Sequence, residues 1–173
     1  MRYIVFVLLG AGSLFLCGSI FGYITIAGLV PDLLMLISLC IVLNERTAAG
    51  MVFAAVFGLL FDGLFSPVMG GNALAYTVSV AIVYYALRTQ QRIRIWTPAL
   101  VGFFGYLLKE CVLAVIVFAM GNEYSFFYMF FRFMLTGALL CAGLMIPAYY
   151  LMHKLYSNAW MRPRKSLSDD LDL

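Results

Sequence analysis

Three charged residues stand where charge is expensive. Lys109 and Glu110 are adjacent inside an apolar run over 97–120, and Arg132 lies inside another over 125–153. A charge at the centre of a bilayer costs about 3 kcal/mol or more, so such residues usually carry function or pair with each other. Glu110 lies about ten residues before the turn joining the two runs, and Arg132 about seven after it, so antiparallel helices place them at similar depth. We expect a Glu110–Arg132 pair facing the interior. Lys109 points about 100° away from Glu110 on the helix and needs another partner, for which Asp62 is a candidate. Three roles stay open for this network: internal neutralisation, a polar cavity or partner contact, and proton or solute transport.

A second set of residues lies earlier in the chain. Pro31-Asp32 suits a helix start, where proline fits the first turn and a carboxylate complements the helix dipole. Asp32 is either that helix-start residue or a contact for a ligand or partner. Gly50, Ala54, Gly58 and Asp62 recur every four residues and share one helix face. Small residues at this spacing let a second backbone come close, either within the chain or from a partner helix. Asp62 precedes the turn-rich stretch Gly63, Ser66-Pro67 and Gly70-Gly71-Asn72. Asp32 and Asp62 form a carboxylate pair for acid–base chemistry only if their helix ends converge. No HExxH, GxSxG or nucleotide-binding loop is present, and His153 is the single histidine. Cys17, Cys40, Cys111 and Cys141 form no CxxC pair. We therefore expect no enzyme, no metal and no cofactor.

The elements that hold these residues follow from composition. Of 173 residues, 65% are hydrophobic and 11% charged, with mean hydropathy +1.01. A soluble domain carries about 45–50% apolar and about 25% charged residues. One soluble core of this size cannot bury so much apolar surface, and disorder requires the opposite composition. The runs lack the alternation of a membrane strand. The sequence predicts an all-α, polytopic membrane bundle of six spans over 1–153 and a short tail over 154–173. The spans fall near Tyr3–Phe21, Pro31–Asn44, Thr47–Asp62, Asn72–Leu87, Thr97–Met120 and Ser125–His153. The second is short: about 14 residues, or roughly 21 Å, against a hydrocarbon core of about 30 Å.

Basic residues fix the orientation. Arg88, Arg92 and Arg94 lie between the fourth and fifth spans, and Lys154, Arg162, Arg164 and Lys165 follow the sixth. With Arg2 and Arg46 they all fall on one side of a six-span chain. Positively charged loops stay in the cytoplasm, so both termini are expected there. The same residues should attract anionic lipid headgroups, and nothing points to nucleic acid. The aromatic run Tyr124 to Phe131 faces lipid or a partner helix.

The stretches Pro31-Asp32-Leu33-Leu34, Phe57-Gly58-Leu59-Leu60-Phe61-Asp62 and Gly71-Asn72-Ala73-Leu74-Ala75-Tyr76 resemble the rod shape-determining protein MreD family. The resemblance is sharpest over 28–90. It implies a non-enzymatic scaffold in the inner membrane of a bacterium, working in cell elongation and peptidoglycan synthesis. The implied partners are a single-span MreC-like protein, MreB, the elongation transpeptidase and a RodA-type glycosyltransferase. It also implies a fold similar to the substrate-binding subunits of energy-coupling-factor transporters. The competing reading is a solute-binding or transport subunit.

Overall fold

The computed structural model describes residues 2–19, 31–45, 47–66, 69–88, 96–120 and 134–157. These form six helices: α1 (Arg2–Ser19), α2 (Leu33–Glu45), α3 (Ala49–Phe65), α4 (Gly71–Arg88), α5 (Thr97–Ala119) and α6 (Leu135–Ser157). No strand occurs among the described residues. Helices α5 and α6 are long and apolar enough to cross a membrane, while α1, α2 and α3 are shorter apolar helices.

The shortest helix is the central one. Helix α2 touches all five others. Its 13 residues, LLMLISLCIVLNE, are hydrophobic all round, and ten of them are buried. A helix apolar on every face belongs inside a bundle. Around it α3, α4, α5 and α6 follow one another as an arc, each packed on the next, and α1 lies beside α2 and α3. The core therefore runs along α2, with Met35, Leu39, Cys40 and Ile41 fully enclosed.

Glycines allow the tightest packing. A Cβ on Gly58 would sit 2.8 Å from the Ala73 Cα, so α3 and α4 meet backbone to backbone there. One on Gly50 would meet the Val42 side chain and lie 3.0 Å from the Ser38 carbonyl oxygen on α2. Ala54, between them on the same face, is fully buried. The small-residue face thus packs inside the chain against α2 and α4.

Helix α3 continues three residues past the expected end at Asp62 and stops at Ser66, which is extended (ψ 138°). Asp62 does not stop the helix; its carboxylate reaches forward to the start of α4. Helix α1 is described through Ser19, and the expected boundary at Phe21 lies outside the described residues; α6 runs through Ser157, four residues beyond His153. Residues 121–133, which include Arg132 and the aromatic run, lie outside the described residues, as do residues 158–173 of the tail and Arg46, Arg92, Arg94, Arg162, Arg164 and Lys165. Arg88 is exposed in the last turn of α4.

Candidate functional site

A polar cluster joins α2, α4 and α5 at the middle of the bundle. Asp32 caps α2: its Oδ1 accepts the Met35 backbone N–H at 3.1 Å. This satisfies one of the donors that a helix start leaves without an intrahelical partner. Asp32 Oδ2 accepts the Tyr76 hydroxyl of α4 at 2.8 Å and lies 3.1 Å from Lys109 Nζ of α5. Lys109 Nζ also donates to Glu110 Oε1 at 2.8 Å. The ammonium lies 5.4 Å from the centroid of the Tyr76 ring and 5.1 Å from that of Tyr106, within reach of both π-systems. All three charged side chains are nearly enclosed: Lys109 is 9% exposed, Asp32 10% and Glu110 15%.

The geometry sets the depth of the site. Lys109 lies ten residues before the end of α5 at Ala119, about 15 Å along the helix. Asp32 is at the very start of α2. The ion pair therefore places the start of α2 near the midpoint of α5, and α2 is recessed on that side. Lys109 pairs with Asp32 and Glu110, not with Asp62 as expected from the sequence. The recess brings Asp32 level with Lys109. The lysine's flexible four-carbon stem also lets Nζ reach its sequence neighbour despite the angle between their Cα–Cβ bonds.

Asp62 does a different job. Only 1% exposed, it accepts hydrogen bonds from the Gly70 N–H at 3.0 Å, the Ala73 N–H at 3.0 Å and the Asn72 side-chain amide at 2.8 Å. It acts as an N-cap for α4 supplied by the preceding helix, and its charge complements the dipole of that helix start. Gly70 carries the one positive-φ glycine conformation described, at φ 93°, where a side chain is strained. The two carboxylates are thus committed to separate partners one turn apart on α4, Asp62 with Asn72 and Asp32 with Tyr76.

Beside this cluster is a cavity of about 340 Å³. Asp32, Asn72, Tyr76, Tyr106 and Lys109 form its polar lining, and Pro31, Cys17, Phe61 and Phe65 its apolar lining. Tyr106 packs over Gly137 of α6, where a Cβ would clash with its ring and lie 2.6 Å from its hydroxyl oxygen. The cavity thus draws on α1, α3, α4 and α5, and α6 supports one wall.

Sequence reasoning singled out Asp32, Asn72, Lys109 and Glu110, and these come together here. It separated Pro31 and Asp32 from Lys109, and it missed Tyr76 and Tyr106. A signal for both tyrosines exists: Tyr76 follows Asn72 by one turn and Tyr106 precedes Lys109 by three residues, so each shares a face with a polar residue. Glu45 at the far end of α2 was also missed. Buried, it accepts the Tyr156 hydroxyl at 3.1 Å and the Thr47 hydroxyl at 3.1 Å, tying the α2–α3 hairpin to α6. Next to it Asn44 Oδ1 lies 3.3 Å from His153 Nδ1, whose ring stacks on Tyr149. The described residues hold no cluster of three or more His, Cys, Asp or Glu placed to bind a metal ion. The four cysteines are free thiols.

Comparison with known proteins finds one family. A family model described as rod shape-determining protein MreD matches residues 1–155. No curated protein and no solved structure matches the chain.

Proposed function

The chain belongs to the rod shape-determining protein MreD family, and from that premise we propose that it is a non-enzymatic, multi-pass membrane scaffold of bacterial cell elongation. Membership gives it a role in rod shape determination. In this reading it binds a single-span MreC-like protein. Through that contact it helps organise peptidoglycan synthesis with MreB, the elongation transpeptidase and a RodA-type glycosyltransferase. Both termini face the cytoplasm, in keeping with the distribution of Lys and Arg.

The family match over residues 1–155 carries this reading. The fold supports it in one respect. Few described residues lie outside the helices, so a partner has mainly helix exteriors and short turns to bind. The Gly50–Ala54–Gly58 face is enclosed within the chain, so the partner contact falls on outward apolar faces instead. Those faces are ample: Val52, Val56, Leu59, Leu60 and Leu64 on α3, and Ile4, Val7, Leu8 and Phe15 on α1, are all exposed.

Depletion of the chain in its native bacterium tests the reading. The account expects rod-shaped cells to widen and round up, and re-expression to restore them. Cells that keep their width through complete depletion would refute a role in elongation.

The second reading, a solute-binding or transport subunit, is favoured by the cavity beside Lys109 and Asp32. It predicts uptake of a solute that fails on depletion while cell shape is kept.

A further inference from the structure

We propose that the outward face of α6 at Gly143 docks a transmembrane helix of another protein, one that carries a hydroxyl or amide donor at mid-span. The identity of that protein rests on the scaffold reading. The place and chemistry of the contact rest on α6 alone.

Pro147 sets the place. It lies inside α6 and is exposed, as is Gly143 one turn before it. A proline has no N–H to give the carbonyl four residues back, and its ring presses against that carbonyl. The Gly143 carbonyl therefore lacks its ordinary helical donor. Gly143 lies about 12 Å from one end of α6 and about 21 Å from the other. It is thus well inside a hydrocarbon core about 30 Å thick, where no water meets an unpaired backbone group.

The chain itself does not supply the donor. Helix α6 is regular α-helix from Leu135 to Ser157, with no tightened or widened turn at the proline to recapture the carbonyl. It has no Ser or Thr between Thr136 and Ser157. The neighbouring helices leave the spot uncovered, since a Cβ on Gly143 would find nothing within 4 Å. Gly143 therefore does not serve internal packing. Gly102 and Gly137 do, because a Cβ there would meet Met145 and Tyr106.

The same facts choose the occupant. Lipid tails carry no donor at this depth. A second copy docking through the same face brings Leu139, Ile146 and Pro147 to this level, and no polar side chain. Two copies inserted alike present parallel α6 helices, so the partner's Tyr150 stays about 10 Å away along the axis. A helix of another chain with Ser, Thr, Asn or Gln at the crossing point satisfies the carbonyl, and the glycine lets its backbone come close. Exposed Leu139, Ile146 and Tyr150 flank the notch as an apolar seat. Gly12 of α1 is equally open, but Leu16 stands one turn on and no carbonyl is freed there.

The test uses the full chain in its native membranes, with the single-span MreC-like protein as the probe. A photo-crosslinking side chain in place of Leu139 or Ile146 should join the two proteins, and one in place of Val52 on α3 should not. Gly143→Ala should weaken the purified complex roughly 3- to 10-fold without lowering the Tm of the chain alone, a combination that a purely internal role would not give. Pro147→Ala restores an N–H to the Gly143 carbonyl and should weaken the complex too, while Gly12→Ala should leave it unchanged. A Gly143→Ala complex of native strength would overturn the site. So would adducts from α6 to a second copy of the chain, adducts from Val52 in their place, or no adduct from α6 with any single-span protein. An α6 adduct with a different single-span protein would keep the site and remove the partner named by the scaffold reading.

Discussion

Lys109 Nζ lies 3.1 Å from Asp32 Oδ2, which joins the midpoint of α5 to the first turn of α2. Neither charge is exposed, and removing one partner of such a pair costs about 3–5 kcal/mol because the other is left buried and uncompensated. Lys109→Met should therefore destabilise strongly, removing the ammonium that lies 3.1 Å from Asp32 and 2.8 Å from Glu110. Asp32→Asn with Lys109→Met should cost less than the sum of the single changes, with a coupling of about 0.5–3 kcal/mol. Unfolding in a micelle-compatible denaturant measures both quantities, and strict additivity would show that the pair does not couple.

Asp62 holds the start of α4 through two backbone N–H groups and the Asn72 amide. Asp62→Ala leaves these donors buried without an acceptor, at a cost of about 1–3 kcal/mol. Amide exchange should accelerate over residues 70–74 while α5 keeps its protection. Asp62→Asn, which retains one carbonyl acceptor, should fall between the variant and the native chain.

Two glycines give opposite outcomes on substitution by alanine. At Gly58 the new methyl meets the Ala73 backbone at 2.8 Å, and overpacking of this kind costs about 1–3 kcal/mol. At Gly12 nothing lies within 4 Å, so the gain in helix propensity should stabilise α1 by up to about 1 kcal/mol. Thermal unfolding of the two variants side by side checks the sign of each.

Tyr156→Phe removes the hydroxyl that Glu45 accepts at 3.1 Å. Loss of a bond to a buried charged group costs about 1.5–3 kcal/mol. Because Glu45 closes the α2–α3 hairpin, increased exchange should appear at residues 43–50 first. Uniform loss of protection across the bundle would contradict a local role.

Helix positions were largely legible because charged residues, glycines and prolines interrupt the apolar runs. The shortness of α2 was legible as well, but its meaning was not. Placing Asp32 at the outer edge follows from assuming that every helix starts at the end of the bundle. Since α2 is enclosed by the other helices, its start is free to lie deep, and only tertiary packing reveals that Asp32 and Lys109 are level. The same limit made Asp62 a candidate partner for Lys109. A carboxylate near a helix end can turn to a distant cation or to the next helix start, and the sequence does not decide between them. Gly50, Ala54 and Gly58 show the converse limit. Their spacing announces a close helix contact, yet the contact is with α2 and α4 of the same chain.

The most direct measurement for the scaffold account is affinity purification of the full chain from its native membranes in mild detergent, with the co-eluting proteins identified and quantified by mass spectrometry. The account predicts a stoichiometric partner with a single apolar span and a large domain outside the membrane, together with substoichiometric cell-wall synthases. A chain that elutes alone, or only with an energising ATPase of a transporter, would contradict it.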